Sequence, residues 1–166
     1  TLAVNHLSQL IMAYFGDGAR LGVKLDYSLE EGELSTIGPL TLIKDLPENF
    51  LVMYGDILCN LDYRAFFTLH VDTASQVSVS AYPRQVKVDF GVLQVDAQGT
   101  LCGFQEKPVF DFEVSMGIYC INRAVIDALP HGVKYGFDNL MVDRLAAKQP
   151  VHIRPFSGYW LDIGRP

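Results

Sequence analysis

The sequence predicts an α/β fold with a mixed, mainly parallel sheet flanked by helices, and three observations carry that expectation. Helical and strand-like apolar patterns alternate through the first half of the chain. Phe50 to Tyr54 is an apolar run without alternation, the mark of a parallel strand buried on both faces. Hairpin-like strands dominate the second half, which makes the sheet mixed. With 166 residues, 49% of them apolar, the chain has one-domain length and enough material for a sizeable core. Residues 1–166 read as a single domain, without internal repeat, low-complexity tract or linker.

Leu2 to Val4 is a short strand-like run. Asn5 is a plausible helix cap, because Leu7, Leu10, Ile11, Tyr14 and Phe15 then fall on one helical face. Gly16-Asp17-Gly18 stops that helix. Val23, Leu25 and Tyr27 alternate as a half-buried strand, and a short helical pattern runs from about Gly38 to Leu46. After the Phe50 strand, Asp62 can cap a helix that turns Ala65, Phe66 and Leu69 inward. Val77, Val79 and Ala81 alternate. Phe90 to Val95 and Thr100 to Phe104 are joined by the turn Asp96-Ala97-Gln98-Gly99. Phe112 to Ile121 is a strand, Ala124 to Leu129 and Leu140 to Lys148 are helices, and Val151 to Phe156 is the last clear strand. The chain opens at Thr1 and closes just after YWLDIG, so both ends are expected to be cuts through a longer polypeptide.

Composition excludes several classes. A net charge of −6 with 19% charged residues argues against both a disordered tail and a nucleic-acid binder. No apolar run approaches the roughly 18 residues needed to cross a bilayer, so no membrane is expected. Cys59, Cys102 and Cys120 lie far apart inside apolar segments and read as reduced core thiols, which suggests a cytoplasmic protein. The four histidines show no HxxxH or HxxH spacing. No GxSxG elbow surrounds Ser115, and neither a Walker loop nor a GxGxxG fingerprint is present.

Some residues remain that can carry chemistry. In open α/β sheets, ligands sit beyond the carboxyl ends of the strands, which selects Gly55-Asp56. There a carboxylate can hold a hard cation such as Mg²⁺; a plain Gly-Asp turn explains the same pair. Glu106-Lys107-Pro108 offers a carboxylate for sugar hydroxyls beside an ammonium for phosphate, but in an extended chain the two point apart unless Pro108 bends the strand. The alternative is an exposed ion-pairing dipeptide. Asp162, flanked by Trp160, Leu161 and Ile163, is either desolvated and bound to a partner or metal, or the cap of a following helix. Gly91 and Gly117 interrupt strands, where glycine marks a bulge or room for a ligand.

Taken in order, AVNHLSQLI with YFGDG, ELSTIGPL, FLVMYGDIL, DFGVLQVDAQGTLCGFQEKP, SMGIYCI and GYWLDIGRP resemble the sugar-1-phosphate nucleotidyltransferases, the NDP-sugar pyrophosphorylases. The flavour is that of the branch acting on mannose or glucose 1-phosphate, with mannose-1-phosphate guanylyltransferase-like enzymes of polysaccharide biosynthesis among them. The resemblance implies a Rossmann-like sheet of the nucleotide-diphospho-sugar transferase type, N-terminally truncated. It implies that Asp56 and Asp162 hold the catalytic Mg²⁺, that Glu106 grips the sugar hydroxyls, and that Lys107 meets the sugar phosphate as the catalytic cation. Gly91 and Gly117 would line the sugar pocket, while Thr36, Gly38 and Gly55 would border the nucleotide. Ser35 and Ile37 stand where the family has glycine and alanine, and Tyr54 and Met116 where asparagine and alanine are common. The family's glycine-rich GxGTRL loop, and the central strand before it, belong ahead of Thr1. The partners implied are a nucleoside triphosphate and a sugar 1-phosphate. A sheet lacking that strand is expected to pair with another copy, rearrange, or remain marginally stable. The rival expectation is a non-catalytic regulatory or assembly subunit of the same fold.

Overall fold

The computed structural model describes residues 1–164. Its strands and helices follow in the order β1 (Leu2–Val4), α1 (Ser8–Phe15), β2 (Tyr27–Leu29), β3 (Asn49–Met53), β4 (Ile57–Cys59), α2 (Tyr63–Asp72), β5 (Val77–Lys87), β6 (Val92–Val95), β7 (Leu101–Gln105), β8 (Val109–Asn122), α3 (Arg123–Asp127), α4 (Phe137–Ala146), β9 (His152–Pro155) and β10 (Trp160–Asp162). Single 3₁₀ turns cover Ala19–Leu21 and Gly38–Leu42. Among the described residues no helix is long and apolar enough to cross a membrane.

The main sheet has the order β3-β8-β5-β9. Because β8 runs against both its neighbours while β5 and β9 are parallel, β3, β5 and β9 all point one way with a reversed strand among them. The sheet is mixed, as the late hairpins predict; its direction is mainly parallel although two of its three pairings are antiparallel. Side chains of β8 alternate between two layers. Tyr119 and Ile121 join Val77, Val79, Val125 and Leu140 on the face covered by α3 and α4. Ile118 and Cys120 join Phe66 of α2 on the other face. Helices on both faces of one sheet give the expected α/β layering.

Local chemistry explains several elements. Asp62 caps α2 by accepting the Ala65 amide at 2.9 Å. Asp96 Oδ1 accepts the Gln98 and Thr100 amides at 2.9 and 2.8 Å, which closes the β6–β7 turn. Helix α4 begins earlier than its periodicity predicts, at Phe137, because Asn139 Oδ1 takes the Gly136 amide and Thr36 Oγ1 takes that of Phe137.

Other expectations are corrected. The cap of α1 is Leu7, in the left-handed region at φ 56°, while Asn5 instead donates to the Gly32 carbonyl. The predicted inner face of α1 carries no buried residue, and Leu10 and Tyr14 are exposed. The neighbouring strands β1 and β2 form only a three-residue parallel pair. The strand expected from Val23 starts at Tyr27, since Gly22 in the left-handed region turns the preceding chain. The Gly38–Leu46 helix shrinks to one 3₁₀ turn. In α2, Phe66 and His70 are buried, whereas Ala65 and Leu69 face solvent. β3 has β8 as its one strand neighbour among the described residues, and Phe50 is its one buried side chain. Of the expected core thiols only Cys120 is buried, and burial pushes its pKa up to about 12; Cys102 is exposed.

Candidate active site

A large irregularity in the β5–β8 pairing organises the site. Val79 faces Tyr119 and Ala81 faces Ser115, so Ser80 alone opposes Met116, Gly117 and Ile118. Gly117 sits at φ 76°, a conformation that favours glycine. The three carbonyls of this bulge are taken by three different elements. Trp160 Nε1 donates to Met116 O at 3.2 Å, the Tyr54 amide to Gly117 O at 3.0 Å, and Ser80 Oγ to Ile118 O at 2.9 Å. One strand defect thereby fixes the end of β3, the start of β10 and the middle of β5.

A cleft of about 820 Å³ opens beside the bulge, with Tyr54, Tyr82, Arg84, Gly117, Phe137 and Asp162 on its walls. Phe137 stacks on Tyr119 with ring centroids 4.1 Å apart, and Tyr119 meets Tyr54 edge-on at 5.7 Å. The Tyr119 hydroxyl donates to that of Tyr54 at 3.1 Å. Burial raises the pKa of Tyr119 far above the usual phenol range, so it serves as a neutral hydrogen-bonding group. Tyr82 lies 5.2 Å from Trp160, ring to ring.

Asp56 and Asp162, distant in sequence, are brought together. Strand β10 pairs antiparallel with β4, which sets Asp162 opposite Ile57, and the Ile163 amide donates to Asp56 O at 2.9 Å. A Cβ added at Gly164 would lie 2.8 Å from Asp56 Oδ2 and 3.2 Å from Asp162 Oδ1. The two carboxylate oxygens are therefore separated by no more than the sum of those lengths, across a space that only glycine leaves free. Asp162 Oδ1 also accepts the Gly164 amide at 3.0 Å, as in an Asx turn, while the helix of the capping alternative falls outside the described residues. Of the apolar flanks of Asp162, Leu161 and Ile163 are exposed, while Trp160 and Asp162 itself are half-buried. Gly55 is exposed, with open space where a side chain would stand.

Two carboxylates, with the remaining positions left to water and phosphate oxygens, are a donor set that Mg²⁺ accepts. Among the described residues no third His, Cys, Asp or Glu joins them. The pair suits a metal shared with a phosphate substrate rather than one caged by protein.

The other candidates fall into two separate places. Gly91 and Glu106 are neighbours: a Cβ at Gly91 would meet the Phe104 ring at 2.7 Å and Glu106 Oε2 at 3.3 Å. The chain bends at Lys107 itself, which adopts φ 45°, just before Pro108. Glu106 and Lys107 lie at the far end of the β5–β8 ribbon and are absent from the cleft's lining. Gly117 does line the cleft, but the space beside it is filled by the Tyr54 ring, 2.8 Å from an added Cβ. In the 34–38 loop, the amides of Ile37 and Gly38 both donate to Tyr135 O, and Gly38 is packed against Val133 O. Thr36 caps α4. Ser35 adopts φ 63°, which accounts for the glycine expected there. Sequence reasoning passed over Tyr119, which reads as one more apolar strand residue, and Arg84, one of two cations on β5.

The sequence profile of the Nucleotidyl transferase family matches residues 2–166. The chain belongs to that family. Among curated members it is 30% identical to a UTP–glucose-1-phosphate uridylyltransferase of Synechocystis sp., over 98% of this chain and 47% of that protein. It is 27% identical to the mannose-1-phosphate guanylyltransferase catalytic subunit beta of Dictyostelium discoideum, over 99% of this chain and 48% of that one. The chain thus spans about half the length of the curated nucleotidyl transferases it matches. Its fold is that of HddC from Yersinia pseudotuberculosis, with a TM-score of 0.70, 23% identity, and coverage of 99% of this chain and 72% of that one.

Proposed function

We propose that this chain carries the metal-side and sugar-side residues of a Mg²⁺-dependent enzyme that transfers a nucleotidyl group from a nucleoside triphosphate to a sugar 1-phosphate. The observation that carries the reading is the meeting of Asp56 and Asp162 across Gly164. In the reaction a phosphate oxygen of the sugar 1-phosphate attacks the α-phosphorus. The new P–O bond forms as the bond to the β-phosphate oxygen breaks, and pyrophosphate leaves. The attacking oxygen is already ionised at neutral pH, so the site needs no general base. Mg²⁺ would supply charge neutralisation on the phosphoryl oxygens. The chain's own residues hold that ion through Asp56 and Asp162, wall the cleft with aromatic rings, and orient the two polyanions. Mannose or glucose 1-phosphate is the acceptor favoured by the relatives' names, with nucleotide-sugar supply for polysaccharide synthesis as the setting.

The test is pyrophosphate release by the natural full-length protein, with Mg²⁺, four nucleoside triphosphates and the two sugar phosphates. Turnover is expected, and Asp56→Asn or Asp162→Asn should each lower it about 100-fold or more while leaving the protein folded. No turnover with any pair, or unchanged turnover in both variants, would overturn the proposal. One observation favours a second reading, a non-catalytic subunit: Glu106 and Lys107 stand off the cleft. A protein that binds sugar phosphate yet never releases pyrophosphate would support that reading.

A further inference from the structure

The cleft's polar chemistry is lopsided. Among the described residues its walls carry aromatic rings, hydroxyls and the carboxylate of Asp162, with Arg84 as the one cationic side chain. The ribbon's geometry fixes where that side chain points. Between Ala81 and Lys87 the pairing of β5 with β8 is regular, so residues two apart share a face. Tyr82 touches Trp160, which assigns its face to the side that holds Trp160, Leu161 and Asp162. Arg84 lies on that same face. It is exposed, and among the described residues it makes no ion pair and no hydrogen bond. Lys87, of opposite parity on the same strand, pairs with Asp89 at 3.1 Å and is spoken for.

Phe137, also on the cleft wall, is tied through its amide to Thr36 of the 34–38 loop. Arg84 stands on the ribbon that leads through the Lys87–Val109 pair towards Glu106. A guanidinium in that position has the fork geometry for two phosphate oxygens, and among the described lining residues it is the one positive charge that can meet a dianion. We infer that Arg84 binds the phosphate of the acceptor sugar 1-phosphate, a role the family resemblance gives to Lys107. This rests on the transferase reading above and adds a substrate-binding residue to it.

Trp160 is the only tryptophan in the chain and contacts Tyr82 beside Arg84, so its fluorescence reports occupancy independently of turnover. Titration of the full-length protein with mannose 1-phosphate, glucose 1-phosphate and the two unphosphorylated sugars separates phosphate recognition from sugar recognition. Arg84→Ala should raise the Kd for the sugar phosphates about tenfold or more, with Arg84→Lys in between because it loses the fork. Affinity for the free sugars and for nucleoside triphosphate should move by less than about twofold, and Lys87→Ala should change nothing. Unchanged sugar-phosphate affinity in Arg84→Ala, a loss that falls on the triphosphate instead, or no sugar-phosphate binding by the unmutated protein would overturn the inference. Failure of the transferase reading shows separately, as absence of pyrophosphate release in a protein whose binding still depends on Arg84.

Discussion

Strands β5 and β8 run side by side along nearly their whole length, yet their two halves live in different surroundings. The inner half, Val77–Ala81 against Met116–Ile121, is buried throughout. The outer half, Pro83–Lys87 against Val109–Glu113, is exposed, although Val86, Phe110 and Phe112 are as apolar as anything inside. Composition therefore does not set the burial of these strands. Helices do: α2 covers one face of the inner half, α3 and α4 the other, while Phe110 and Phe112 have each other at 6.5 Å. The bulge and the cleft sit where the cover ends, so one strand pair provides rigid anchorage on one side and accessible side chains on the other.

Substitutions can break or sharpen that contrast. Ile118→Ala, at a fully buried inner position, should cost about 2–5 kcal/mol in urea unfolding, through lost burial and the cavity left behind. Gly117→Ala, at the junction, adds a methyl into the Tyr54 ring at an unfavourable φ and should cost about 1–3 kcal/mol. It should also disturb sugar-phosphate binding, since Tyr54 must move. A smaller effect is read as a slope with pH. His70 is buried, with Ser78 Oγ at 2.9 Å from Nδ1 and Asn49 Oδ1 at 3.2 Å from Nε2. Asn49 Oδ1 can only accept, so Nε2 carries the proton and Ser78 donates to Nδ1. Burial first, then Arg154 and His152 of β9, lower the His70 pKa from its usual 6.5. Below that value the unfolded chain takes a proton that the folded one resists, so stability should fall as pH drops through 6.5 and hold level above it. His70→Gln should flatten the dependence of Tm on pH between 7 and 5. The smallest effect is expected on the outer ribbon, where Phe112→Ala should change stability by about 0.5 kcal/mol or less. A cost there equal to that of Ile118→Ala would mean that something covers the ribbon in solution.

What was legible in the sequence follows from how local its causes are. The Asp96 turn, the Asp62 cap and the strand through Val77, Val79 and Ala81 depend on a few adjacent residues, and all three stand, although Ser78 and Ser80 between those apolar residues are buried as well. The exposed face of α1 was illegible because periodicity shows that a helix has an apolar side, not that anything lies against it. The edge position of β3 and the bulge at Gly117 depend on register between segments far apart, which no short pattern encodes. The approach of Asp56 to Asp162 is of the same kind. Spacing could not supply it; the order of motifs along the family did, and the β4–β10 pairing shows the means. Arg84 went unnoticed because its significance lies in the residue two positions earlier, whose ring contact sets the face.

The strand order has a consequence for how this chain is made. β3 and β5 leave the ribosome before β8 and β9, the strands that pair with them in the main sheet. Synthesis at roughly 5–20 residues per second therefore leaves two apolar strands waiting for several seconds until residues near 122 emerge. During that interval the nascent chain presents unpaired backbone and unburied valines to whatever else is nearby. Slowing translation between Lys87 and Val109 lengthens that exposure, and chaperone occupancy on the stalled chain should rise with it.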